Sequence, residues 1–306
     1  MSFPKLNESF RLQRLAPPAG RVRMVLDTDT YNEIDDQFAL VYALLSQEKL
    51  DVEAIYAAPF HNDRSSGPHD GMEKSYEEIL RLLDRMGRSP DGFVFKGSTS
   101  YLPAPDRPCS NEAVSDLVRR AMSSSENDPL YVVAIGAITN VASAVLAEPA
   151  IIERIVVVWL GGHALHWPNT REFNLRQDIP AARVVFDCGV PLVHVPCLGV
   201  TSHLHTTVPE IEANVRPCGP AGAYLADIFA DYGGARPAWS KVLWDVAAVA
   251  YLVNARWTPS ELRHSPIVTD QATWSFDSSR HLVRYVYHVH RDPILADFFA
   301  KLKERA

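Results

Sequence analysis

Residues 22–45 read VRMVLDTDTYNEIDDQFALVYALL, and this stretch decides the fold. Residues 22–26 form an apolar run of β-forming side chains, which predicts a buried strand. Residues 37–45 place apolar side chains at helical spacing without a breaker, which predicts a helix. The ten residues between them carry four aspartates and one glutamate. The junction between this strand and this helix is therefore where the chemistry of the chain is expected.

The acidic loop predicts a site for a hard divalent cation. Packing alone does not favour so many carboxylates in one short loop, because unpaired carboxylates repel one another. Carboxylate oxygens are the ligands that such cations prefer. The positive end of the following helix helps to keep Asp35 and Asp36 ionised.

Other interpretations of this loop are open. Asp35 could serve only as an N-cap, with the other acids solvated. An EF-hand fails, because the loop lacks the central glycine and the closing glutamate of that motif. A phosphatase with Asp27 as nucleophile also begins with Asp-x-Asp after an apolar strand. Such enzymes usually carry Thr or Val where this chain has Tyr31.

Length and composition limit the class of protein. The chain has 306 residues, of which 47% are hydrophobic, and shows no low-complexity linker, so one domain over residues 1–306 is expected. A net charge of −7 without a basic run argues against nucleic-acid binding. No apolar stretch is long enough for a bilayer, and residues 1–21 lack an apolar signal core, so the expected compartment is the cytoplasm. The four scattered cysteines are expected to be reduced thiols.

Strands and helices alternate along the first two-thirds of the chain. This order predicts an α/β fold with a mainly parallel central sheet and helices on both faces. Ligands of such sheets bind beyond the carboxyl ends of the strands. The chain has no phosphate-binding loop. Predicted strands cover residues 52–58, 93–95, 130–134, 155–160 and 191–195, with short β segments at 266–268, 273–276 and 282–288. Predicted helices cover residues 72–86, 111–122, 139–148, 179–186, 209–215, 221–232, 244–252 and 294–305.

Three further segments share the pattern of one known family. They read YVVAIGAITNVA at residues 131–142, WLGG at 159–162 followed by EFNLRQDIPAA at 172–182, and LWDVAAVAYL at 243–252. Together with the acidic loop, these motifs resemble, in order and over nearly the whole chain, the nucleoside hydrolases, the inosine-uridine nucleoside N-ribohydrolase family. The resemblance implies a Rossmann-like fold. One departure is the acidic loop, in which five residues separate Asp29 from Asp35, whereas the common family form has three.

The resemblance implies a calcium site and a riboside site. Calcium would be held by Asp29, Asp36, Asp245 and the backbone carbonyl of Ile135, with Asp29 also taking the proton of the attacking water and Asp27 orienting the loop. The sugar would be held by Asp35, Asn62, Asn169, Glu172 and Asn174, and Leu160 would line the ribose.

The position that protonates the leaving base differs from the common pattern. Many family members have His before the Asp of the fourth motif, and this chain has Trp244. Tryptophan cannot act as a general acid, but it can stack on a base, as in purine-preferring members. We therefore expect a preference for purine nucleosides. A substitute acid could come from one of six histidines: His61, His69, His163, His166, His203 or His205.

The sequence thus predicts a calcium-dependent nucleoside N-ribohydrolase whose partner is a small nucleoside, with no nucleic acid and no membrane. The resemblance also implies a homodimer or homotetramer. Two alternatives remain at this point: the phosphatase that uses Asp27, and a calcium-stabilised riboside-binding protein without turnover.

Overall fold

The computed structural model describes residues 3–234 and 236–305. The strands are β1 (Val22–Thr28), β2 (Leu50–Ala57), β3 (Val94–Lys96), β4 (Leu130–Ala134), β5 (Ile155–Leu160), β6 (Leu192–Val195), β7 (His205–Thr206), β8 (Lys241–Val242), β9 (Ser260–His264), β10 (Ile267–Val268), β11 (Trp274–Ser275) and β12 (Leu282–Val286). The helices are α1 (Glu8–Leu15), α2 (Asp35–Leu45), α3 (Pro68–Arg85), α4 (Glu112–Met122), α5 (Thr139–Ala147), α6 (Phe173–Gln177), α7 (Ile179–Asp187), α8 (Val208–Asn214), α9 (Gly219–Gly233), α10 (Val246–Val253) and α11 (Arg291–Glu304). Short 3₁₀ turns cover Pro149–Glu153, Thr201–His203 and Ala255–Trp257.

Eight strands form the central sheet in the order β3-β2-β1-β4-β5-β6-β12-β9. All neighbours in it are parallel except β9, which runs antiparallel to β12. The strand order reverses between β1 and β4, which is the topological switch point of a doubly wound fold. The predicted α/β class, with its mainly parallel sheet, is confirmed.

Two apolar cores lie on opposite faces of the sheet. Side chains of β1 alternate between them, since Met24 and Leu26 belong to one core and Val25 to the other. Helices α2, α3, α9, α10 and α11 supply the first core, and α4, α5 and α7 supply the second. The predicted placement of helices on both faces is confirmed.

Most predicted elements are present, and two predicted strands, β4 and β5, have the predicted bounds. Helix α3 begins at Pro68, one turn before the predicted start, because proline is favoured in the first turn. Helix α10 begins after Asp245 instead of at Trp244.

Helices α1 and α6 and strands β7, β8 and β9 were not predicted. Helix α1 lies in the polar segment before β1, and Asn7 caps it by accepting a hydrogen bond from the backbone N–H of Phe10 at 2.8 Å. Strand β9 is an edge strand with largely exposed side chains, so it carries no apolar alternation. No helix in the described ranges combines the length and the apolar character needed to cross a membrane.

Candidate active site

A cavity of about 670 Å³ opens beyond the carboxyl ends of β1, β2, β4 and β5. This volume lies within the range of small-molecule binding sites. Its position at the switch point is where open α/β sheets bind their ligands. The predicted site residues that line it are Asp35, Asn62, Ile135, Leu160, Glu172, Asn174, Trp244 and Asp245.

Three carboxylates form a cluster at one end of the cavity. Oxygen atoms of Asp35, Asp36 and Asp245 all lie within 4.8 Å of one another. Asp35 and Asp36 open helix α2, and Asp245 directly precedes α10, which packs against α2. The positive ends of two helices therefore stabilise the negative charge of the cluster. The hydroxyl of Thr28 donates to Oδ1 of Asp36 at 2.5 Å and holds it in place.

Asp29 is fully buried and interacts electrostatically with Asp36 and Asp35 of this cluster. Neither of its carboxylate oxygens has a hydrogen-bond partner among the described residues. Burial raises the pKa of Asp29, and the charges of Asp36 and Asp35 raise it further. Gly136 permits its position, because a Cβ atom there would come within 3.1 Å of the Asp29 carboxyl carbon. Asp29 is thus a buried acid without a compensating group.

The donor set fits a hard divalent cation. Burial, followed by the charge of neighbouring aspartates, raises the pKa values of Asp36 and Asp245 as well as that of Asp29. Buried carboxylates that repel one another are stable only when paired or metal-bound. The prediction that the acidic loop forms a metal site is supported by this geometry, although the group within 4.8 Å contains Asp35 in place of Asp29.

At the cavity, a side chain of the segment 172–182 bonds to the turn that follows β4, in the segment 131–142. The side-chain amide of Asn174 donates to the carbonyl of Ile135 at 2.9 Å and to the carbonyl of Leu160 at 3.1 Å. These carbonyls follow β4 and end β5, respectively. The carbonyl of Ile135 has a second lone pair, so the hydrogen bond from Asn174 leaves it able to bind another group.

Glu172 has a structural role that the sequence did not reveal. Its carboxylate accepts hydrogen bonds from the backbone N–H groups of Gly162, Asn174 and Leu175, at 2.8, 2.8 and 3.0 Å. It thereby caps helix α6. Burial raises the pKa of Glu172, and these hydrogen bonds act against that rise. The side chain is fixed at the wall of the cavity.

The two other predicted sugar contacts differ in position. Asn62 lines the cavity, where its amide donates to Oδ1 of Asn32 at 2.7 Å and its Oδ1 accepts from the N–H of Arg64 at 2.8 Å. Asn169 is not among the described residues that line the cavity. Its Oδ1 accepts from the backbone N–H of Arg171 at 3.0 Å. The structure therefore does not bring Asn169 to the other predicted sugar ligands.

Of the six candidate histidines, His61 and His163 line the cavity, whereas His69, His166, His203 and His205 lie elsewhere. His61 is exposed at its rim. His163 is buried, and burial lowers its pKa to about 4, so its ring is neutral at pH 7. Nδ1 of His163 accepts the backbone N–H of Leu198 at 3.3 Å, which places the proton on Nε2.

The structure does not support Asp27 as a nucleophile. It is fully buried and does not line the cavity. Its Oδ1 accepts a hydrogen bond from the amide of Asn140 at 2.8 Å, and burial raises its pKa to about 7. The hydrogen bond from Asn140 holds Asp27 within the scaffold, which favours the predicted orienting role of Asp27 over the phosphatase alternative.

Sequence reasoning missed Lys241, a buried lysine of β8. Its ammonium group contacts Glu33 and Oδ1 of Asp35, the latter at 3.2 Å. Burial lowers the pKa of Lys241, but the charges of Asp35 and Glu33 outweigh that effect and raise it. No sequence signal marked it, because its partners lie far from it along the chain.

The fold and the cavity together define an α/β protein with an acidic cleft at the switch point, whose carboxylates could hold a metal ion. The family model for the inosine-uridine preferring nucleoside hydrolase matches residues 24–292. The chain therefore belongs to the nucleoside hydrolase family, whose members are ribonucleoside N-ribohydrolases, and the predicted membership is confirmed.

Similar proteins agree on the family and differ in base preference. The pyrimidine-specific ribonucleoside hydrolase RihA of Salmonella paratyphi A is 30% identical over 237 residues, which cover 68% of this chain and 71% of RihA. The solved structure of a purine-preferring ribonucleoside hydrolase from Gardnerella vaginalis has a TM-score of 0.75 and 21% identity, and covers 92% of this chain and 98% of its own. The plant nucleoside hydrolase PpNRh1 has a TM-score of 0.73 and 21% identity, with 94% and 99% coverage. The two structures show the shared fold.

Proposed function

We propose that this enzyme hydrolyses the N-glycosidic bond of ribonucleosides with the help of calcium, releasing ribose and a nucleobase, preferably a purine. One observation carries the proposal: the buried carboxylate of Asp29, which has no hydrogen-bond partner among the described residues, interacts electrostatically with a carboxylate cluster of which Asp35 and Asp245 line a cavity of about 670 Å³. Such a donor set suits a hard cation.

The metal would be held by Asp29, Asp36, Asp245 and the carbonyl of Ile135. When bound, it supplies positive charge that lowers the pKa of a water and polarises ribose hydroxyls. Asp29 accepts the proton of the attacking water on a carboxylate oxygen, both of which are free of other hydrogen bonds within the described residues. Asn140 holds Asp27 in place behind this loop.

The proposed sugar ligands are Asp35, Asn62, Glu172 and Asn174, with Leu160 lining the ribose. Each of the four polar side chains is fixed by hydrogen bonds of its own. Fixed ligands hold the anomeric carbon near the attacking water, so that attack becomes nearly unimolecular. Their oxygens also favour the positive charge that develops on the ribose as the bond breaks. We leave Asn169 out of this set because it is not among the described residues that line the cavity.

Trp244 supports the purine preference. It lines the same cavity and offers an aromatic face for stacking on the base. Neutral His163 can donate a hydrogen bond from Nε2 to the leaving base, but its low pKa makes it a poor source of a full proton. Purines tolerate this better, because solvent can protonate a purine ring nitrogen as the bond breaks. The relative RihA is described as pyrimidine-specific. The base preference of this enzyme therefore needs a direct comparison of purine and pyrimidine substrates.

The deciding experiment measures ribose release from inosine and guanosine with and without a chelator. We expect release that stops on chelation and returns with calcium. A protein that binds inosine in the presence of calcium but releases no ribose would be a riboside-binding protein. We also propose the homodimer or homotetramer that the resemblance implies, and light scattering after gel filtration tests it. Cytoplasmic location stays a prediction.

A further inference from the structure

The acidic loop between Asp29 and Asp35 is longer than in the common family form. Three hydrogen bonds to Glu33 hold this loop in place. The backbone carbonyl of Glu33 accepts from the guanidinium of Arg64 at 2.9 Å. Oε1 of Glu33 accepts from the hydroxyl of Tyr232 at 3.2 Å, and Oε2 accepts from the ammonium of Lys241. Glu33 is thus anchored by three groups from different parts of the chain.

Lys241 uses all its hydrogen-bonding capacity within this region. An ammonium group has three donors. They reach Oε2 of Glu33, Oδ1 of Asp35 at 3.2 Å and the carbonyl of Val242 at 3.1 Å. The side chain is 9% exposed and does not line the cavity. Lys241 therefore acts on Asp35 instead of on a substrate.

Without the contact to Lys241, the carboxylate of Asp35 could take either of two roles. Its carboxylate lies within 4.8 Å of those of Asp36 and Asp245, so it could serve as another metal ligand. It also lines the cavity, where a ribose would lie. The ammonium of Lys241 occupies Oδ1 and leaves the second oxygen for one of these tasks. A positive charge at this point also reduces the attraction of the cluster for a cation.

We infer that Lys241 is a positioning residue: its ammonium group, anchored on Glu33, holds Asp35 as a ligand for the ribose and keeps that carboxylate from joining the metal ligands. This inference rests on the proposed function. It assigns a task to the longer acidic loop, which supplies the second carboxylate that anchors the lysine. It also predicts that removing the ammonium weakens sugar binding without weakening metal binding.

The test compares Lys241→Met with the wild type in calcium affinity, KM and kcat for inosine, and melting temperature. Methionine keeps most of the volume and removes the charge. We expect KM to rise at least about tenfold, as for loss of a charged hydrogen bond. Calcium affinity of the variant is expected to stay the same or to increase, because the cluster loses a neighbouring positive charge and gains a free carboxylate oxygen.

Two further variants complete the design. Lys241→Arg keeps the charge and is expected to restore KM in large part. Lys301→Met is the matched control, since Lys301 is also largely buried and bridges Glu48 and Asp297 away from the cavity. It is expected to lower the melting temperature without changing KM or calcium affinity.

The outcomes separate this inference from the proposed function. If the wild type neither binds calcium nor releases ribose, the proposed function is wrong. If the wild type does both and Lys241→Met leaves KM unchanged, the inference is wrong. A parallel loss of calcium affinity and melting temperature in Lys241→Met, not restored by arginine, would also overturn it, because that pattern indicates a structural role alone.

Discussion

The side-chain amide of Asn174 donates to the backbone carbonyl of Ile135 at 2.9 Å. This bond joins the Glu-Phe-Asn motif to the turn after β4, and the same amide also reaches the carbonyl of Leu160. Two sequence motifs that were predicted to act on different ligands are therefore one unit. Asn174 orients a proposed metal ligand, Ile135, while it forms part of the wall of the proposed sugar site.

This connection predicts a double effect for Asn174→Ala. The variant leaves two buried carbonyls without their partner, so we expect the free energy of unfolding to fall by about 1–3 kcal/mol. We also expect the preference for inosine over 5′-deoxyinosine to shrink, because a site built to bind a hydroxyl rejects the analogue that lacks it. Urea denaturation and kcat/KM for both substrates measure these effects.

Asn214→Ala is the control, since Asn214 also donates to a backbone carbonyl, that of Glu210, but lies away from the cavity. It should leave the substrate preference unchanged. Unaltered discrimination in Asn174→Ala would remove Asn174 from the sugar site.

The acidic cluster predicts a trade between activity and stability. Asp29→Asn and Asp36→Asn each remove a negative ligand, so both should abolish hydrolysis and lower calcium affinity. In the calcium-free protein each should raise the melting temperature, because burial and like charge disfavour these carboxylates. Isothermal titration with calcium and thermal melts in chelator measure the two effects.

Asp116→Asn provides a comparison, because Asp116 is a buried carboxylate that is already paired, with Arg119 and Arg120. It should lose stability in chelator and keep turnover. Near-normal turnover and metal content in Asp29→Asn or Asp36→Asn would contradict the metal assignment.

Trp244 predicts the choice of leaving group. We expect the wild type to cleave inosine faster than uridine, and Trp244→Ala to lose most of its inosine turnover through lost stacking. Nitrophenyl riboside, whose leaving group needs no proton, should still be cleaved well by Trp244→Ala. Steady-state kinetics with the three substrates make the comparison.

A wild type that prefers uridine would refute the stacking idea. It would direct attention to the two cavity histidines, His61 and His163, as the source of a proton. His61→Ala and His163→Ala would then show which ring is needed.

Buried His194 predicts a loss of stability in acid. Burial lowers its pKa to about 4, against 6.5 for an unperturbed histidine. Between these values the unfolded chain binds the proton and the folded protein does not, so the free energy of unfolding falls as pH decreases from 6.5 towards 4. One such histidine contributes at most about 1.4 kcal/mol per pH unit in this window and nothing above it.

His194→Asn should therefore reduce the slope of unfolding free energy against pH between 6.5 and 5, whatever its effect on stability at pH 7. Urea denaturation at several pH values measures the slope. His264→Asn, which makes the same substitution at an exposed histidine, is the matched control. An unchanged slope in His194→Asn would mean that other groups, such as half-buried His281, whose pKa burial also lowers, carry the acid response.

The sequence by itself determined the strand–loop–helix that begins the fold, the parallel order of the sheet and the family. These features are local: apolar periodicity identifies β1, β4 and β5, and four short motifs carry the chemistry. The carboxyl ends of parallel strands meet at one edge of the sheet, so the sequence also predicted which loops converge. It could not find β9, since an exposed edge strand leaves no apolar pattern.

Only the tertiary structure decided which side chains meet. It brings Asp245 to Asp36 through the packing of α10 on α2, and Lys241 to Asp35 through the longer acidic loop. It places His163 in the cavity and keeps Asn169 out of it. The physical reason is that contacts between segments distant in the chain depend on how helices pack and how loops close, and no local pattern of residues records these.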